Sequence, residues 1–184
     1  FAYDTYGNLT KVTDALGYVT SFAYDILGNI LTITDARGNT TTLTYDLLNR
    51  LTSITNALGN KSSITYDTNG NVINIKNAAG ISSSFAYNSY NQLIKVTDPL
   101  GNKIQYVYNY KGKPTKVIDG NGNTTNYTYD VINQVISETN SLSHTTNYTY
   151  DRNGNRTIIT DACGNKTYFA YDRLNRLYRT TYPG

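Results

Sequence analysis

The chain contains one cysteine, one histidine, three prolines, and neither methionine nor tryptophan in 184 residues. A single thiol, Cys163, excludes an internal disulfide framework, so its only disulfide would be with another chain. A single histidine, His144, leaves a His-metal cluster or a Ser-His-Asp triad without a partner set. No apolar run approaches the ~20 residues a membrane helix needs, and no charged-then-apolar start resembles a signal peptide. A first residue of Phe1 and the lack of Met suit a processed product or an internal piece of a longer chain. Charge of one sign is lacking too: 16 Lys+Arg oppose 13 Asp+Glu for a net +3, with no basic run. That balance argues against a nucleic-acid partner and an anionic membrane surface, as the lack of a long apolar run does against membrane insertion.

What is abundant is repetition. Tyr3, Tyr24, Tyr45, Tyr66, Tyr87, Tyr108, Tyr129, Tyr150 and Tyr171 each follow the last by 21 residues, without one insertion. The next residue is Asp, or Asn at Asn88 and Asn109. Three positions further stands Gly or Asn, from Gly7 and Gly28 through Asn49 to Asn175. Only these two residues enter the left-handed region with ease, so the column predicts a tight turn. A second turn column lies ten residues on, at Gly17, Gly38, Gly59, Gly80, Gly101, Gly122 and Gly164, with Ser143 as its exception. Two turns per repeat imply two strands per repeat.

The segments between turns are rich in Thr, Val, Ile, Tyr and Phe and carry no helical period. Two residues before each Tyr from Tyr24 onward stands Phe22, Leu43, Ile64, Phe85, Tyr106, Tyr127, Tyr148 or Phe169, on the same face as that Tyr. The intervening positions are small or polar, which suits a face that meets water. The return arm has Val12, Ile33, Ile54, Ile75, Val96, Val117 and Ile159, broken at Glu138. A further apolar column, beginning Leu9, Ile30 and Leu51, lies three residues earlier and is interrupted by Pro114 and Arg156. An odd offset would put the two columns on opposite faces of a flat strand, so a bulge is expected between them. Consecutive antiparallel hairpins follow, about 17 strands and roughly 80 Å of sheet at ~4.8 Å per strand. The inward columns are expected to bury one another.

The unit xxYDxxGNLxxxTDxxGN, from FAYDTYGNL at Phe1 to FAYDRLNRL ending at Leu177, resembles the YD repeat, also called the Rhs repeat. The family includes bacterial Rhs proteins, shell components of insecticidal toxin complexes and the animal teneurins. The resemblance implies an all-β fold in which tandem 21-residue β-hairpins form a curved, spiralling antiparallel sheet, a section of a hollow shell. It also implies neighbouring repeats as partners and, in bacterial members, an enclosed C-terminal toxin domain. Residues 1–184 are expected to be a single array of eight to nine repeats, a segment of a longer secreted or cell-surface chain. The family's self-cleavage region, with acidic catalytic residues and a PxxxxDPxGL-like motif, has no counterpart after Leu177. TDPLGN, Thr97 to Asn102, resembles part of that motif but stands in mid-array, where Pro99 stiffens a repeat turn.

No other constellation competes. Asp119-Gly-Asn121-Gly-Asn123 has a trace of a calcium loop, but Thr124 stands where such a loop requires Gly. The Asp column of Asp4, Asp25, Asp46 and Asp67 repeats identically, whereas general acid/base work needs an odd pair in a cleft. Asn-x-Thr/Ser triplets such as Asn39, Asn60 and Asn126 fall out of the turn and the Thr-rich strand and carry little weight for glycosylation. The expectation is a structural module with no catalytic, metal or cofactor site. The Tyr column and the turn glycines Gly17, Gly38, Gly59, Gly80, Gly101, Gly122 and Gly164 would be its structural positions. Two rivals are a fibre of repeats continuing from chain to chain and a carbohydrate-binding surface of exposed tyrosines such as Tyr6, Tyr18, Tyr90, Tyr110 and Tyr168.

Overall fold

The computed structural model describes all 184 residues, and every regular element in it is a strand. The chain divides into two compact units, Phe1–Ala86 and Tyr87–Gly184. The first holds β1 (Ala2–Tyr3), β2 (Leu9–Thr13), β3 (Val19–Tyr24), β4 (Ile30–Thr34), β5 (Thr40–Tyr45), β6 (Leu51–Thr55), β7 (Lys61–Tyr66), β8 (Val72–Lys76) and β9 (Ser82–Tyr87), whose last residue opens the second unit. The second holds β10 (Leu93–Thr97), β11 (Lys103–Tyr108), β12 (Pro114–Ile118), β13 (Thr124–Tyr129), β14 (Val135–Thr139), β15 (Thr145–Tyr150), β16 (Arg156–Thr160), β17 (Lys166–Tyr171) and β18 (Leu177–Thr181). Within each unit every strand pairs antiparallel with the next in the chain. The strand total is 18, against about 17 from the repeat count, because the two residues of β1 already pair with β2.

Both turn columns fold the same way. Asp14 N–H donates to the Tyr18 carbonyl at 3.0 Å, and Gly17 N–H donates to the Asp14 carbonyl at 3.1 Å. This is a three-residue hairpin loop, a type I turn closed by a left-handed residue. Gly17 supplies that conformation at φ 85°, and Asn49 supplies it in the other column at φ 66°. Side chains share the work, because Asp14 Oδ1 accepts the N–H of Leu16 and of Tyr18, both at 2.9 Å.

The odd spacing of the apolar columns is resolved by a bulge. Phe22 lies opposite Ile33 and Ala23 opposite Thr32, but Tyr24 lies opposite Ile30, leaving Leu31 over. Ile30 and Ile33 thereby join the face of Phe22 and Tyr24, which alternation alone would forbid. Seven other hairpins shift at the equivalent step.

Mutual burial of the inward columns is less complete than the pattern suggested. No apolar side chain is fully buried, and Ile54 and Ile75 remain 40% and 45% exposed. Each side chain is flanked by neighbours on adjacent strands, but each unit is a single ladder with no second layer over the Tyr face. The one buried residue is polar and belongs to the Thr-rich face: Ser53, 3% exposed, with its hydroxyl 2.7 Å from that of Thr44.

Candidate functional site: the tyrosine ladder and the turn edge

The repeated Tyr of the family motif does more than fill a face. Tyr24 Oη donates to the Leu9 carbonyl at 2.8 Å, and Tyr45 Oη to the Ile30 carbonyl at 3.0 Å. The same bond, reaching back 15 residues, runs from Tyr66 to Leu51, Tyr108 to Leu93, Tyr129 to Pro114, Tyr150 to Val135 and Tyr171 to Arg156. The acceptor is in each case the first residue of the bulged step on the preceding strand. A bulge disrupts the ladder and leaves backbone polar groups in need of partners, and the phenol of the next repeat supplies one. The sequence carries a signal of this bond: Phe, Leu and Ile all occur two residues earlier, whereas the hydroxyl-bearing Tyr column holds no Phe.

The Asp after each Tyr serves its own turn. Asp25 Oδ1 accepts the N–H of Leu27 and of Asn29, both at 2.9 Å, while Oδ2 accepts Asn29 Nδ2 at 2.8 Å. The side-chain bond from Asn29 is the largest influence holding the Asp25 carboxyl below its ordinary value. Asp46 is lowered in the same direction, chiefly by its bond from Arg50, whose guanidinium lies 2.6 Å from the carboxylate. At Asp172 the backbone bond from Arg176 leads. Each of these carboxylates accepts bonds from its own loop, which favour its ionised form.

The other singled-out residues lie in similar turns. Asp119 accepts the N–H of Asn121 and Asn123 and the side-chain amide of Asn123, so its oxygens are engaged within its own turn. Asp98 of TDPLGN does likewise with Leu100 and Asn102. His144 is exposed and donates its N–H to Asn140 Oδ1 at 3.0 Å. Cys163 is an exposed free thiol beside Asp161 in the same kind of loop. Tyr6, Tyr90 and Tyr110 stand at turn tips, 89%, 82% and 92% exposed. No helix is long and apolar enough to cross a membrane.

The two charged breaks in the apolar columns are brought to one ring. Tyr148 Oη donates to Glu138 Oε2 at 3.2 Å, and the Arg156 guanidinium carbon lies 4.4 Å from the centre of the same ring. Opposite charges on β14 and β16 therefore share a tyrosine on the strand between them. Burial is the first cause raising the Tyr148 hydroxyl above its ordinary value; Glu138 raises it further and Arg156 opposes.

Comparison with known proteins gives a family and a fold. The RHS Repeat family model matches residues 3–40, 27–61, 66–103 and 129–166. Among solved structures, the chain is similar to the TcdB2-TccC3-Cdc42 crystal structure, with TM-score 0.64 and 23% identity over 87% of this chain and 10% of that one. It is similar also to the Photorhabdus luminescens Tc holotoxin pore carrying a TccC3 variant, with TM-score 0.63 and 23% identity over 88% of this chain and 10% of that one. TcdB2-TccC3 without its hypervariable C-terminal region gives TM-score 0.63 and 24% identity over 88% of this chain and 10% of that one. The chain thus spans about a tenth of the length of these solved chains. No curated protein matches it.

Proposed function

Because the chain belongs to the RHS-repeat family, we propose that it is a length of wall in a secreted or cell-surface β-shell that encloses or presents a toxin or effector. The observation that supports this reading is the ladder within each unit, in which the hydroxyls of Tyr24, Tyr45 and Tyr66, and of Tyr108, Tyr129, Tyr150 and Tyr171, fasten one hairpin to the bulge of the one before it. Such a ladder propagates without end and carries no reactive cleft, which suits containment and not turnover. Its half-exposed Tyr, Ile and Leu face has one surface to give to a lumen or to further wall, and its Thr-rich face suits the other. The array is not an enzyme in this reading, and it works as one run of repeats within a longer chain.

Small-angle X-ray scattering of the native full-length protein tests the reading. A shell gives the scattering profile of a hollow particle whose maximum dimension is independent of concentration. A rod-like profile that lengthens with concentration would contradict it and support the rival fibre, in which exposed end strands pair from chain to chain.

A further inference from the structure

We propose that consecutive hairpins recognise one another at the Tyr-Asp turns through two alternating turn types, so that the unit of assembly is a pair of hairpins spanning 2 × 21 = 42 residues. Each such turn offers two residues to its neighbours. The left-handed residue faces the turn before it, and the residue that follows reaches towards the turn after it. From Gly28 onward the left-handed column alternates strictly: Gly28, Asn49, Gly70, Asn91, Gly112, Asn133, Gly154, Asn175. The next residue alternates with it, being Arg50, Gln92, Gln134 or Arg176 after Asn, and Asn29, Asn71, Lys113 or Asn155 after Gly.

The contacts explain the alternation. A long side chain lies against a glycine of the following turn. A Cβ built on Gly70 would lie 3.5 Å from an Arg50 guanidinium nitrogen, on Gly112 2.9 Å from Gln92 Nε2, and on Gly154 3.1 Å from Gln134 Nε2. Gln134 also donates to the Gly154 carbonyl at 3.4 Å, and Arg50 to the Asp67 carbonyl at 3.4 Å. A short side chain instead meets an asparagine, Lys113 before Asn133 being the one long residue in that place. Asn29 Nδ2 donates to Asn49 Oδ1, and Asn155 Nδ2 donates to Asn175 Oδ1 at 2.9 Å. Asn8 before Gly28 is the one short residue set against a glycine, and there a Cβ would have 3.7 Å to Asn8 Oδ1. An Asn-type turn set directly after another would force an Arg or Gln amide and an Asn side chain into one place. The alternation therefore discriminates against a skipped or doubled hairpin, an error that identical repeats otherwise permit.

Two substitutions in the full chain separate this neighbour rule from a plain backbone effect. Gly28→Asn and Gly154→Asn place the same residue at nearly the same φ, +84° and +87°, but before the first stands short Asn8 and before the second long Gln134. Equilibrium unfolding in urea, followed by tyrosine fluorescence, should show G154N losing about fivefold more in folding constant than G28N, as contacting residues do. Adding Q134N to G154N, which recreates the Asn155–Asn175 arrangement, should bring the loss back to that of G28N. Equal losses in the two single variants, or a Q134N/G154N chain no better than G154N, would overturn the rule. If G154N fails to fold, recovery of folding in the double variant supports the rule and its absence refutes it.

Discussion

Tyr129 donates its hydroxyl to the carbonyl of Pro114 at 2.7 Å, across the bulge that opens β12. Proline cannot give the ladder an N–H, yet its carbonyl sits where Leu9, Ile30 and Leu51 place theirs, and the bond persists. The fastening is thus between hydroxyl and backbone, independent of the side chain at the bulge. That accounts for Pro114 and Arg156 in the apolar column, whereas the Tyr column holds Tyr in every repeat.

Tyr129→Phe is therefore expected to cost about 1 kcal/mol in urea unfolding, the usual net worth of one hydrogen bond. Tyr106→Phe should be close to neutral, because Phe22, Phe85 and Phe169 hold the same column. Equal losses for the two would separate the Tyr column from its hydroxyl.

Acid should loosen the array through its turns. Ten carboxylates, among them Asp4, Asp25, Asp67 and Asp151, are held below the ordinary value of 3.8, most of them first by the side-chain amide bond within the loop. Their folded-state values are depressed, so the stability they contribute is complete above 3.8 and is lost as pH falls through the lowered folded values. Thermal melts from pH 6 to 2 should show the midpoint falling mainly below about pH 4. Asp25→Asn, which keeps the Oδ1 acceptor as Asn56 and Asn77 do, should flatten that slope while folding at neutral pH; Asp25→Ala should melt lower at every pH.

Much of this fold was legible in the residues. The 21-residue period, two turns per repeat and the odd spacing from Leu9 to Val12 led to hairpins with a bulge between those columns, and the register of β1 with β2 carries it. Burial was not legible. Alternation tells which side chains share a face, but nothing in the spacing of Ile54 or Ile75 says whether a second layer covers it, and within each unit none does. The Tyr-only column signals a role for the hydroxyl, but its acceptor is not legible, being a backbone atom 15 residues away that becomes a neighbour only once bulge and register are known.

Ser143 holds the left-handed turn position at φ 63°, where the same column is otherwise glycine. Ser143→Gly relieves the left-handed cost of a side-chain-bearing residue, less the extra chain entropy of glycine, and should stabilise by roughly 0.5–1 kcal/mol. Urea midpoints of the two chains measure it. No gain would mean that the turn stores no strain there.

Glu138 and Arg156 should move the Tyr148 hydroxyl in opposite directions. Glu138→Gln removes a charge that favours the protonated phenol, so the Tyr148 value falls; Arg156→Leu removes an opposing charge, so it rises. Carbon-13 labelling of the tyrosine ring carbon bearing the hydroxyl, titrated upward from pH 8, reads each shift. Movement in the same direction for both variants would contradict the shared-ring geometry.

The shell itself is most directly tested by electron cryomicroscopy of the native full-length protein at a resolution that separates strands. The account predicts closed hollow particles whose wall is a continuous run of hairpins at ~4.8 Å strand spacing, with these repeats forming part of it. Solid particles, or filaments in which the hairpins run on from one chain into the next, would contradict it.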